Sequence, residues 1–232
     1  MKNQFFNKIL FGLFLILFYS SISFFYAQQH LSGHWTALID QEMVLTYNSL
    51  LFNSGIEQEF TDHSGYFTIL TTSLYFQVLN FFNLIEVYKF SQIYDYNLTQ
   101  IFENSIYHLR VFSVYIVVIT LITATYLFNL LFKNKIFAFF LVIILFFLYG
   151  NLSILSDTRT EQFSILFILL SLIGLFNFFE KNKFIYFVIF LFFLFCSILN
   201  KSQVIYYIPI ILLYSFYINK KPISFDLNLP DK

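Results

Sequence analysis

The residues able to do chemistry in this chain gather in a few short stretches. Asp40 and Glu42 stand two apart in Ile39-Asp40-Gln41-Glu42, soon after a long apolar run. A carboxylate where the chain leaves an apolar medium is partly desolvated, and its pKa can be set for taking a proton. A second patch runs from Glu57 to Tyr66 and holds Asp62-His63-Ser64-Gly65. Two further turns carry cations beside polar groups: Ser156-Asp157-Thr158-Arg159-Thr160-Glu161 and Asn200-Lys201-Ser202-Gln203. An isolated cation in such a turn suits an anionic partner such as a lipid phosphate. The plain alternatives are solvated carboxylates and a surface pair between Arg159 and Asp157 or Glu161. His30 and His34 are spaced to share a helix face and, with Asp40 or His63, to hold a metal. No tight ligand cluster accompanies them, so no metal ligand is assigned.

These stretches are separated by apolar runs over 5–27, 109–132, 136–155, 163–179, 184–199 and 204–218. The chain is 59% hydrophobic, 23% aromatic and only 11% charged, which 232 residues cannot hide from water. Helices satisfying their own backbone are the way such runs cross lipid. The expected fold is therefore all-α, a polytopic membrane protein of about six spans. Lys2, Lys8, Lys133, Lys135, Lys181, Lys183, Lys220, Lys221 and Lys232 fall on one side of that zigzag. Lys89, Arg110, Arg159 and Lys201 fall on the other, with most of the acidic residues and all four histidines. The lysine-rich side is cytoplasmic by the positive-inside rule, which puts the N-terminus inside and the reactive groups outside.

The segment 66–85 is long enough to cross but is punctuated by Thr68, Thr71, Thr72, Ser73, Gln77, Asn80 and Asn83. If it crossed, the later loops would flip and the basic residues would divide almost evenly, so it is expected to lie on the outer surface. A second surface helix is expected to start near Asn97, with Asn97 and Gln100 as a capping pair. The first outer loop thus spans about 28–108 with two juxtamembrane helices. Cleavage after Ala27 is the rival for the first run, but Phe25 is too bulky for the −3 position of a signal peptide. Lone Cys196 sits in an apolar run as a small core residue. Net charge is zero with no basic block, which argues against nucleic acid.

The order and sidedness of these motifs resemble the C-type (GT-C) membrane glycosyltransferases, which include dolichyl-phosphate-mannose-dependent protein mannosyltransferases and bacterial aminoarabinose transferases acting on lipid A. Ile39-Asp40-Gln41-Glu42 resembles that group's acidic first-loop motif, and Asp62-His63-Ser64-Gly65-Tyr66 the stretch opening its juxtamembrane helix. Leu109-Arg110-Val111-Phe112-Ser113 looks like the start of the following span, and Asp157-Thr158-Arg159-Thr160-Glu161 and Asn200-Lys201-Ser202-Gln203 like its later outer turns. Proline is missing after Asp62-His63 and between Arg159 and Glu161, and family members are usually about twice as long. On this resemblance, 1–222 is a GT-C-like transmembrane module and 223–232 a short cytoplasmic tail.

The resemblance implies a polyprenyl-phosphate sugar as donor and a hydroxyl of a glycan, lipid or protein as acceptor. Asp40 is the implied general base of an inverting displacement, with Glu42 assisting, or the two orienting a divalent ion. Asp62, His63, Arg110, Asp157, Arg159, Glu161 and Lys201 are the implied substrate-binding residues. The expected setting is a bacterial inner membrane and cell-envelope glycosylation. The alternative is a non-catalytic or truncated module needing a partner chain that supplies further spans. A transporter is disfavoured because the spans carry no charged residue near the midplane.

Overall fold

The structure, a computed structural model, describes residues 2–31, 42–59, 65–95, 97–147, 158–209 and 211, with helices and turns and no strand among them. The helices are α1 (Lys2–Leu31), α2 (Val44–Asn53), α3 (Tyr66–Phe81), α4 (Leu98–Phe132), α5 (Lys135–Phe146), α6 (Thr160–Lys181) and α7 (Phe184–Asn200). Short 3-10 helices follow at Phe90–Asp95 and Ser202–Tyr207. Ile9–Gln28 within α1, α4 and α6 are long and apolar enough to cross a bilayer, while α5 and α7 are shorter apolar helices of 12 and 17 residues. From Glu161 to Lys181 α6 rises about 30 Å, the thickness of the hydrocarbon core. Leu10, Leu13, Leu17 and Phe25 of α1 are half or more exposed, as are Ile136, Phe140 and Ile144 of α5. So much bare apolar surface marks a membrane protein, in which lipid tails cover it.

Side-chain contacts fix the direction of each helix. Tyr19 of α1 meets Thr125 of α4, and Phe24 meets Tyr115, so these two helices are antiparallel. Phe14 meets Phe139 and Tyr26 meets Phe146, so α1 and α5 run parallel. Ser113 near the start of the apolar part of α4 bonds Gln162 at the start of α6, and Ser197 at the end of α7 bonds Ser164. One end of the bundle therefore carries the start of α1 and Lys133, Lys135, Lys181 and Lys183. The other carries Glu42, Arg110, Arg159, Glu161 and Lys201.

The helix turns are built from local rules. Lys133 and Asn182 close α4 and α6 in the left-handed conformation, with φ of 53° and 50°. Asn134 then caps α5, its Oδ1 accepting from the N–H groups of Ile136 and Phe137 at 3.1 Å. Between α1, α4 and α5, Leu15, Tyr19, Val118, Leu121, Val142 and Phe146 form one core. Thr125 donates to the Leu121 carbonyl at 2.9 Å, so the Tyr19 hydroxyl gives the proton of its own 2.7 Å bond to Thr125. In lipid, such a bond adds to packing where the hydrophobic effect no longer separates helix from solvent.

The α6–α7 hairpin approaches closely at Gly174. A Cβ there would lie 2.8 Å from the Phe190 amide nitrogen and 3.1 Å from its Cα, and backbone cannot step aside. Gly174→Leu should force the hairpin apart at a cost of roughly 1–3 kcal/mol or more. Thermal unfolding in detergent checks this, and an unchanged melting temperature would contradict the close approach.

Two expected boundaries change. The surface helix expected near Asn97 and the span expected from 109 form one unbroken helix, α4, of 35 residues. Asn97 does cap it, accepting from the Thr99 N–H at 3.0 Å. No glycine or proline interrupts residues 98–132, and Arg110 is neutralised within the protein instead of ending the helix. The segment 66–85 contains the 16-residue α3, about 24 Å long and short of a full crossing. α3 folds back on α2, and Leu50, Phe76, Leu79, Ile85, Val87, Ile93 and Ile101 make a second core outside the helix bundle. Several polar groups of 66–85 bond within the protein. Asn53 donates to the carbonyls of Ser73 and Tyr88, Gln77 donates to Asn53, and Asn80 donates to the Ile85 carbonyl. Leu74, Val78, Phe81 and Phe82 form the exposed stripe.

Candidate functional site

Glu42, just ahead of α2, is fully buried. Both of its carboxylate oxygens accept from Arg110 Nε, at 3.2 and 3.0 Å, and the Arg110 terminal nitrogen lies 2.8 Å from Oε2. Arg110 is itself buried on α4. A planar guanidinium meeting a carboxylate through two donors is the geometry that best repays the desolvation of both charges. The Thr158 N–H points at the same carboxylate from 3.4 Å, and the Thr158 hydroxyl donates to the Leu109 carbonyl at 3.0 Å. The entry to α6 is therefore tied to α4 and to the exit of the first loop. One turn along α4 from Arg110, Ser113 and Gln162 exchange hydrogen bonds at 2.9 and 2.7 Å.

A second cluster lies on the other side of the α6 start. Glu161 pairs with Lys201 at 2.6 Å and also accepts from the Thr160 hydroxyl. Glu161 sits in the first turn of α6, where the helix dipole favours a negative charge. Beside this pair, buried Asn200 uses its whole side chain. Its Oδ1 accepts from the Thr68 N–H and hydroxyl at 3.0 and 2.9 Å, and its Nδ2 donates to the Thr160 carbonyl and Ser164 hydroxyl at 2.6 and 3.1 Å. Thr68 N–H is one of the orphan donors in the first turn of α3, the group an N-cap side chain ordinarily satisfies. Gly65 holds the N-cap position and has no side chain to offer, and a Cβ there would collide with Thr160. Asn200 is the cap of α3, supplied from 132 residues away.

The segment 158–162 thus joins both clusters, with Arg159 between them. The sequence-derived residues Glu42, Arg110, Arg159, Glu161 and Lys201 come together at one end of the bundle. Asp40, Asp62, His63 and Asp157 lie outside the described residues, as do His34 and residues 212–232. Among the described residues no three His, Cys, Asp or Glu side chains come together to hold a metal.

Ser113, Gln162, Thr158, Thr68 and Asn200 were not singled out by sequence reasoning as site residues. Ser113, Gln162 and Asn200 share a signal, a polar side chain at the edge of an apolar run, while Thr158 and Thr68 carry none. Arg110 with Ser113, and Ser197 with Asn200, also stand three apart on one helix face. Tyr75 and Tyr47 are not proton carriers near neutrality. Burial pushes the Tyr75 phenol, stacked on Phe112 at 4.4 Å, up to about 12. Burial, followed by the Glu59 carboxylate it bonds at 3.2 Å, raises that of Tyr47.

Below the ion pairs an apolar cleft of about 210 Å³ opens between α4, α5 and α6. Val117, Leu121, Phe128, Val142 and Leu169 line it, and Gln162 stands at the end nearest the charged groups. Comparison with known protein families, with curated proteins and with solved structures finds no match to this chain.

Proposed function

We propose that the chain is a membrane glycosyltransferase module that takes a sugar from a polyprenyl-phosphate donor and passes it to an acceptor hydroxyl. One observation carries this reading: cations and carboxylates from separate stretches of chain gather at one end of the bundle, above an apolar cleft with a polar head. A lipid phosphate needs that pairing of an apolar channel for its tail with cations at the headgroup level. The tail would lie against Val117, Leu121 and Leu169, and the phosphate would meet Arg159 and Lys201. Asp40, two residues before the buried Glu42, would take the proton from the acceptor, while Glu42 would hold Arg110 in place.

The reading includes six spans with the N-terminus in the cytoplasm and the charged end facing outward. The lysines at the opposite end of α4, α5, α6 and α7 support that orientation. α3 would then lie in the outer interface with Leu74, Val78 and Phe81 dipping into lipid. A bacterial inner membrane and cell-envelope glycosylation belong to the same proposal.

Asp40→Asn should cut sugar transfer from a polyprenyl-phosphate donor in proteoliposomes by at least about 100-fold, with insertion unchanged. Full activity in that variant would remove the proposed base. A non-catalytic scaffold has one observation in its favour, since Arg110 and Lys201 are already matched by Glu42 and Glu161. Transfer that is measurable in the native chain and lost in Asp40→Asn decides against it.

A further inference from the structure

A cleft of about 200 Å³ lies between the segment after α3 and the first turns of α4, apart from both ion pairs. Its floor is apolar, formed by buried Ile85, Val87 and Ile101. Its rim is polar and uncharged but for one carboxylate: Asn83, Asn97, Gln100, Asn104 and Glu86. We infer that this cleft binds a single neutral sugar ring.

The chemistry of the walls selects that class. Each carboxamide presents a donor and an acceptor side by side, which matches two neighbouring hydroxyls. Glu86 accepts from two O–H groups, and the Ile85–Val87–Ile101 floor suits the C–H face of a pyranose. Among the described residues no lysine or arginine lines the cleft, so an anion would meet Glu86 with no described cation to offset it. A wholly apolar ligand would strip water from the carboxamides and return no hydrogen bond. The volume is below that of ordinary drug-sized pockets, fitting one ring and not an oligosaccharide.

The backbone of the walls is held before any ligand arrives. Asn83 takes the left-handed conformation at φ 57°, and Asn80 donates to the carbonyls of Ile85 and Glu86 at 3.0 and 3.4 Å, fixing the turn. Asn97 spends its carbonyl oxygen on the Thr99 N–H, which leaves its amide donors for the cleft. The hydrogen bonds among the described residues leave the side chains of Glu86, Gln100 and Asn104 uncommitted, and all three are exposed. The fixed backbone leaves only these side chains to be ordered on binding.

The cleft sits at the charged end of the bundle, since Ser105 on its wall is five residues, about 7–8 Å along α4, from Arg110. Its role as holder of the acceptor sugar rests on the transferase reading; the binding does not.

Saturation-transfer NMR on the full chain in nanodiscs tests it, with glucose, galactose, mannose and N-acetylglucosamine as probes and glucose 6-phosphate as the anionic counterpart. Ring-proton saturation is expected for at least one neutral sugar, exceeding that of glucose 6-phosphate. It should fall at least fivefold in Gln100→Ala/Asn104→Ala and in Glu86→Lys, whose exposed positions leave elution and melting unchanged. No saturation from any neutral sugar, a stronger signal from glucose 6-phosphate, or unchanged signals in both variants would overturn the inference. Asp40→Asn should bind as the native chain does. Binding that persists while Asp40→Asn retains full transfer would defeat the catalytic reading alone, and transfer without binding would defeat the cleft alone.

Discussion

Arg110→Ala should deprive the protein of most of its folded population. The substitution leaves the Glu42 carboxylate fully buried, with the distant Thr158 N–H as its remaining described donor. Breaking a buried ion pair from one side costs about 3–5 kcal/mol, because the surviving charge loses its countercharge and gains no water in exchange. Domains are stable by only about 5–15 kcal/mol, so the loss is a large share of the total. Glu42→Ala should do comparable damage from the other side. Replacing both, as Glu42→Leu with Arg110→Met, removes the two desolvation costs together and should recover most of the lost stability. Thermal unfolding of detergent-purified protein, read with its elution profile, checks all three. If Arg110→Ala melts within a degree or two of the native chain, the pair does not brace the α2–α4 junction. The double variant also separates two roles: if it folds and transfers sugar normally, Arg110 serves the fold alone.

Asn200→Leu should release α3 from the bundle while leaving the rest in place. It strips the partner from the buried Thr68 N–H and hydroxyl and from one lone pair of the half-buried Thr160 carbonyl. Each buried group left unsatisfied costs about 1–3 kcal/mol, so a local loss of roughly 2–4 kcal/mol is expected. That energy corresponds to amide exchange in the first turns of α3 quickened about a hundredfold. The Tyr19–Thr125 contact is far along the bundle and should keep its protection. Asn200→Asp tests the halves of the side chain separately, since it keeps the acceptor for Thr68 and loses the donors to Thr160 and Ser164. Exchange in α3 that is unchanged by Asn200→Leu would show that the α2–α3 core suffices to dock it.

What was legible in the sequence was mostly local. Apolar runs gave the helices, Asn134 gave a cap, and the lysine-bearing turns gave the sides of the bundle. Glu161 and Lys201 were visible as charges in two outer turns, although their pairing needed the α6–α7 hairpin to close. The Glu42–Arg110 pair joins residues 68 apart in sequence and could not be read from spacing. Nor could the sequence say that the helix before Arg110 would continue unbroken through it. The polar residues of 66–85 stood out in the sequence, but their periodicity could not say that Gln77 would meet Asn53 and Thr68 would meet Asn200. The number of spans is the least legible feature. α5 and α7 are short for a crossing, and apolar composition alone does not set a helix's length.

The borrowed cap of α3 also orders events during synthesis. Thr68 emerges long before Asn200, and 132 residues separate donor from acceptor. At about 5–20 residues per second, the ribosome needs on the order of ten seconds to cover that distance. Through that interval α3 has its contacts with α2 but no partner for its first turn. The α2–α3 hairpin can therefore settle only after the last described long helix has been made, and the charged end of the bundle is assembled last.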